Sequence, residues 1–235
     1  MNLRTKENNM RKFVLVTSAL FLFGIPAHAE TRDLRGFDTV QASGRFTVDV
    51  AIGPEFQVRV EGRDAARIRT RVDDGALKIE PARRPWFGEP HYDATIHVTL
   101  PRLEGVAAAR GAEVSAIAGG DCPDFSAVAA MGGQLRVSSL ECDTVDAAAA
   151  MGGTVNLSGN CHTLDVSAAM GGDVDAAELH CRLVDASAAM GGAITAYADQ
   201  SYDAAASMGG DINVAGGARV GDRSAAMGGS ITQRP

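Results

Sequence analysis

From residue 121 onward the chain has no lysine and only five arginines, set against 14 acidic residues. Such a deficit of positive charge argues against nucleic acid or anionic lipid as the main partner, because both bind through cationic side chains. No apolar run after residue 30 is long enough to span a membrane. No Pro/Ser-rich linker divides the chain, so a single continuous domain is expected. The Gly-Gly-x-Gly-x-Asp calcium repeat is missing as well. No serine or cysteine has a plausible base at hand, and His162 and His180 fall in different columns of the repeat described below. The acids form a uniform series rather than the local cluster that polysaccharide cleavage needs. An enzyme is not expected.

What is present begins with an address. Arg11 and Lys12 form a charged head, residues 13–25 an apolar core, and Ala27-His28-Ala29 a small-x-small cleavage site. This pattern predicts a signal peptide over residues 1–29, cut after Ala29, and a periplasmic or secreted product. Met10 is the more usual opening for such a leader, which makes residues 1–9 a candidate start-codon misassignment. No cysteine lies near the cut, so a lipoprotein anchor is not expected. Removing the leader leaves 18 basic and 28 acidic residues.

The rest of the chain is organised by a sixfold Met-Gly-Gly repeat. Its methionines are Met131, Met151, Met170, Met190, Met208 and Met227, at steps of 20, 19, 20, 18 and 19 residues. A fixed period of this length signals a solenoid. An aliphatic residue stands four places after each methionine (Leu135, Val155, Val174, Ile194, Ile212, Ile231) and an alanine two places before it. Around these columns apolar and polar or small residues alternate, which is the period of a strand with one buried face. Gly-Gly supplies the turn. Units of this length, each built of short strands, predict an all-β parallel β-helix whose like residues stack at ~4.8 Å. On this reading the methionines point inward and form a buried ladder beside the glycines, as flexible core filler. A methionine-rich copper site is the alternative, but it needs converging sulfurs where a ladder lays them along a line.

Residues 30–110 read as an N-terminal β cap with the first coils, and residues 111–235 as the repetitive coils of the same domain. Ile68 to Val72 and Ala76 to Glu80 flank Asp73-Asp74-Gly75, a hairpin signal. Gly111-Ala112-Glu113 reads as a degenerate first repeat. The order of Gly36-Phe37-Asp38-Thr39-Val40, Ser43 to Val50, Val72 to Ile79 and Ile96-His97-Val98-Thr99-Leu100-Pro101, followed by glycine-bearing repeats, resembles the bacterial head-GIN-domain family, described as putative autotransporter adhesins. The resemblance covers nearly all of the expected mature chain. It implies an exported, right-handed parallel β-helix with no established activity. At the repeat turn the family commonly carries Gly-Ser-Gly-Asp where this chain has Met-Gly-Gly.

Four features are candidate sites. Cys122, Cys142, Cys161 and Cys181 each precede a methionine by nine residues. Stacking on adjacent coils favours the disulfides Cys122–Cys142 and Cys161–Cys181, with a buried thiol ladder as the alternative. Asp146, Asp165, Asp185, Asp203 and Asp222 each precede a methionine by five residues and would run along one outer edge. Like charges ~5 Å apart repel, so backbone amides, raised pKa values or bound cations should offset the cost, and calcium is the candidate ion. Beside them, Val128, Ala148, Ser167, Ser187, Ala205 and Ser224 make a flat strip suited to self-association or to docking on an extended partner, unless another segment covers it. Arg83, Arg84, Trp86, Phe87 and Tyr92 form either a cap that seals the solenoid or a partner-binding loop. The function expected from all of this is a non-catalytic binding or scaffold module for a protein or cell-surface polymer. A calcium-binding, self-associating envelope protein is the alternative.

Overall fold

Alternation decides which residues form strands, and here it extends through whole coils. In the computed structural model, which describes residues 29–83, 88, 90–120 and 122–234, residues 134–150 run as one strand with buried and exposed positions in near-perfect succession. The expected leader, together with Arg84, Trp86 and Phe87, lies outside the described residues. The strands in chain order are β1 (Glu30–Arg32), β2 (Thr39–Ser43), β3 (Arg45–Ile52), β4 (Gln57–Glu61), β5 (Ile68–Asp73) and β6 (Ala76–Pro81). They continue with β7 (His91–Leu100), β8 (Gly105–Ala109), β9 (Glu113–Ile117), β10 (Cys122–Ala130), β11 (Gln134–Ala150) and β12 (Thr154–Ala169). The last are β13 (Asp173–Ala189), β14 (Ala193–Ser207), β15 (Asp211–Ala215), β16 (Arg219–Ala226) and β17 (Ser230–Arg234).

These strands stack in parallel as a β-helix with two long faces. Face A holds the segments that precede each methionine. It stacks β6, β2, β8, β10, the second halves of β11 to β14, and β16. Face B holds the segments that follow. It stacks β7, β3, β9, the first halves of β11 to β14, then β15 and β17. Like residues lie opposite like residues: Val155 pairs with Val174, Ala168 with Ala188, Asp165 with Asp185. Between the faces, small alanines from A meet Val, Leu and Ile from B, and the described residues include no buried polar or charged side chain.

Spatial order departs from chain order at the N-terminal end. β2 and β3 are sandwiched between β6–β7 on one side and β8–β9 on the other. After β1, the chain therefore lays down β2 and β3 in the second layer, moves outward to form the outermost coil, and crosses back to continue the stack. The outermost parallel edges are covered by antiparallel strands: β5 on β6, β4 on β7, and β1 on β4. An exposed parallel edge offers unpaired backbone groups to any passing strand, and this cap covers both edges at this end with short antiparallel strands. At the other end the core mouth is crossed by polar side chains. Arg223 donates to the Ile231 carbonyl, and Gln233 Nε2 donates to the Ala218 carbonyl at 2.9 Å.

Each Met-Gly-Gly is a turn between the faces. Met151 and Gly152 both have positive φ, at 51° and 72°, and the Gly153 amide donates to the Ala150 carbonyl at 3.0 Å. Positive φ at both central positions is the signature of a type I′ turn, and Asp74-Gly75 in the β5–β6 hairpin has the same pair of values, 50° and 72°. The two glycines serve different needs. The first supplies positive φ, and a Cβ there would meet nothing within 4 Å. The second abuts the previous coil, where a Cβ on Gly172 would lie 2.2 Å from the Ala149 carbonyl oxygen. Arg110-Gly111 occupies the same turn one coil earlier, with φ of 53° and 76°.

The methionines correct the expectation of a buried ladder. Met131, Met151, Met170, Met190 and Met208 are 47–49% exposed, and Met227 is 75% exposed. As first residue of the turn each stands outside the coil, and the core corner is filled by the aliphatic four places later. The alternation rule fails here because a left-handed residue breaks the strand phase between the alanine before it and the aliphatic after it.

Candidate functional site

Stacking in register turns each repeat column into a line of side chains on the surface. The cysteine column gives two disulfides, Cys122–Cys142 and Cys161–Cys181, with Cα atoms 4.6 and 4.5 Å apart. The coil spacing itself brings each pair within bonding range. All four sulfurs are thereby consumed, and none is left as a thiolate. Beside them runs an open groove of about 560 Å³ that includes Pro123, Glu141, Asp143 and Asn160 in its wall. Asn160 Nδ2 donates to Glu141 Oε1 at 2.8 Å across adjacent coils.

The aspartate column is real for four of its five members. Asp146, Asp165, Asp185 and Asp203 pair in register on face A, all exposed. Asp222 drops out. The register slips between Tyr202 and Ala204, so that Arg223 faces Ala204, and the Asp222 amide donates to the Asp203 carboxylate. In the line that remains, the Asp185 pKa is raised by partial burial and by the neighbouring charges of Asp165 and Asp203. In contrast, Asp73 in the cap is held low by hydrogen bonds from Lys78 and Arg71. Among the described residues no group of three or more His, Cys, Asp and Glu side chains converges to hold a metal ion. The acids form a rail, and beside it a shallow depression of about 270 Å³ is lined by Ser126, Val128, Ala148 and Ser167 as well.

The flat strip is open. Val128, Ser167, Ser187 and Ala205 are exposed and Ala148 half-buried, and no described segment lies over them. The aromatic segment divides differently. Tyr92 is only 3% exposed, with the Arg67 guanidinium 5.0 Å above its ring. It is a core residue of the cap rather than an exposed platform, because β7 alternation turns it inward. Arg83 and Ala82, with Ala66, Arg67 and Tyr92, line a cavity of about 400 Å³ beside it.

Sequence reasoning passed over face B. Three and five places after each methionine the side chains point out, on either side of the buried aliphatic. They form two lines: Gln134, Thr154, Asp173, Ala193, Asp211 and Ser230; and Arg136, Asn156, Asp175, Thr195, Asn213 and Thr232. Nearly every member is polar, and part of this face sinks into a depression of about 180 Å³ around Arg136, Asn156 and Asp175. The signal was available, since the residues flanking a buried strand position must face outward. It was hidden by chemistry that varies from coil to coil, unlike the Met that recurs in all six units and the Asp that recurs in five.

Among the described residues no helix is long and apolar enough to cross a membrane. The family described as "Putative auto-transporter adhesin, head GIN domain" matches residues 36–218. Among curated proteins, none is similar enough to count as a relative. Solved structures share the fold. A putative adhesin from Bacteroides fragilis superposes with a TM-score of 0.80 at 21% identity, over 88% of this chain and 96% of that one. A putative adhesin from Parabacteroides distasonis gives 0.66 at 17% identity, over 88% and 96% of the two chains. A putative lipid binding protein from the same species gives 0.63 at 18% identity, over 91% and 98%. The β-helix with its antiparallel cap, and the family match over residues 36–218, lead to one conclusion: this chain belongs to the head GIN domain family of putative auto-transporter adhesins.

Proposed function

We propose that the chain is an exported, non-catalytic binding module of adhesin type that lays one long face against an extended cell-surface polymer. The observation that carries this is the pair of polar lines on face B. With Ala193 as the one exception, each coil offers hydrogen-bonding side chains at the same two positions, one coil spacing apart, and a polymer of repeating polar units presents its partners in the same way. The disulfides suit an oxidising compartment, and the leader over residues 1–29 would deliver the chain there. The recesses along the faces are shallow and open, and their acids lie in rows, which suits binding better than turnover. The test is retention of the purified protein on immobilised cell-wall and capsular polysaccharides and on whole cells. Asn156→Ala with Thr195→Ala should weaken retention, whereas Ser167→Tyr on face A should leave it unchanged. The opposite pattern would move the binding surface to face A, and release of new reducing ends would refute the non-catalytic part.

A calcium-assisted form of this reading rests on Asp185. Partial burial first, and then the charges of Asp165 and Asp203, raise its pKa, and a cation bridging it to either neighbour would relieve that second, repulsive part. Calorimetry with millimolar calcium should then give saturable heat in the wild type and none in Asp165→Asn/Asp185→Asn. No heat in either chain removes calcium from the account.

A further inference from the structure

The residue that names the repeat is the one the fold uses least. A type I′ turn accepts glycine, asparagine or aspartate at its first central position more readily than methionine. The chain itself uses aspartate in the equivalent turn at Asp74-Gly75. Yet methionine holds that position in six coils, at φ between 47° and 52°. The side chain is about half in water from Met131 to Met208 and more exposed still at Met227, and none of the six belongs to the core. Turn propensity does not account for it, and a persistent backbone outlier is a reason to look for function. What methionine adds at that place is a thioether.

The roots of these thioethers are fixed and their ends are free. Stacked residues stand 4.5–4.6 Å apart where the cysteines measure the spacing. Hydrogen bonds lock neighbouring turns together: Gly132 N–H to the Met151 carbonyl at 3.2 Å, Gly171 to Met190 at 3.3 Å, and Gly191 to Met208 at 3.2 Å. Beyond Cα the methionine side chain has three rotatable bonds to its thioether group and methyl. A buried ladder would hold its sulfurs in a line. An exposed one lets two or three sulfurs from consecutive coils swing towards a common point.

Thioethers select soft ions, Cu(I) first among them. Such ions accept low coordination numbers, which neighbouring coils can supply without the closed cage that calcium or zinc requires. Two surroundings place the site within the line. Arg110 occupies the same turn position one coil before Met131, and its charge disfavours a cation at that end. The 14 acids of residues 121–235, against five arginines, attract cations to this half of the rod.

We propose that the Met151, Met170, Met190 and Met208 line binds a soft monovalent metal ion, Cu(I) by its chemistry, through the thioethers of two or three consecutive coils. The ion binds in the reduced state, so no electron transfer is involved. The site lies on the turn edge between the two faces and does not depend on the adhesin reading.

Silver(I) is a redox-inert stand-in for Cu(I) and is the probe to use, in chloride-free buffer, on protein carrying ¹³C-methyl methionine. The expected result is saturable binding of one or two ions per chain, with the methyl resonances of these four residues shifting together. Met170→Leu/Met190→Leu keeps the apolar bulk and should lower affinity at least tenfold while the circular dichroism spectrum is unchanged. If the leucine variant does not fold, Met170→Asn/Met190→Asn, which suits the turn, takes its place. Unshifted methyl resonances in the wild type, or unchanged affinity in the folded double variant, would overturn the proposal. The first of these results would assign any bound silver to the exposed histidines instead, His162 and His180 among them.

Discussion

Asp185 sits between Asp165 and Asp203 in an unbroken line of carboxylates, and replacing it with asparagine should stabilise the protein. The three acids are in register on adjacent coils, so their charges are ~5 Å apart. At the dielectric of water this costs about 0.8 kcal/mol per neighbour, or roughly 1.6 kcal/mol for the two. A Debye length of ~8 Å at physiological ionic strength reduces the total to about 0.8 kcal/mol. For a domain of this size each kcal/mol is worth ~2–4 °C in Tm. Asp185→Asn should therefore raise Tm by about 2–3 °C near pH 7 in physiological salt, and by about twice that at low salt. The sign with pH follows from the raised pKa. The folded chain holds the Asp185 proton more tightly than the unfolded chain, so ionisation costs the native state. The penalty is absent below the ordinary aspartate value of ~3.9 and grows as pH rises through the folded value. Thermal denaturation of both chains between about pH 3 and pH 8, at two salt concentrations, is the assay. No gain near pH 7 at low salt, or an equal gain near pH 3, would refute the reasoning.

The turns and bridges give further expectations. Gly172→Ala puts a Cβ 2.2 Å from the Ala149 carbonyl oxygen. It should cost at least ~3 kcal/mol in denaturant unfolding, whereas Gly171→Ala, with open space around its Cβ, should cost only the ~1–2 kcal/mol of a left-handed residue. Met170→Asn should raise stability by roughly 0.5–1 kcal/mol, because asparagine tolerates the φ of 51° better than methionine does. Cys161→Ser/Cys181→Ser opens a loop with a sequence separation of 20 residues. It should lower unfolding free energy by about 3 kcal/mol, with melting of the variant insensitive to reductant at that bridge.

Repetition made the architecture legible before any coordinates. A column that recurs every 18–20 residues can satisfy its strand edges only by stacking. Alternation around each aliphatic then dictates which side chains face in. The same logic reached the disulfides, because parallel stacking leaves Cys122 and Cys142 one coil spacing apart whatever the details of the turn. The start of the solenoid was not legible. That β2 and β3 lie between β6–β7 and β8–β9 depends on which edges the antiparallel strands cover, and pairing between distant segments leaves no local mark.

Periodicity by itself determined the fold, the face on which Asp146 to Asp203 stand, and the cysteine partners. Only the tertiary structure decided the fate of the methionines, of Asp222 and of Tyr92. Two of these outcomes turn on local backbone breaks. Left-handed φ at Met151 and its equivalents takes the side chain out of the core, and the register slip after Tyr202 takes Asp222 out of the rail. Tyr92 depends on which side of β7 meets the interior beneath Arg67. A column in a sequence fixes spacing along the rod, but direction from the backbone belongs to φ and ψ, and a single residue outside the strand region changes it.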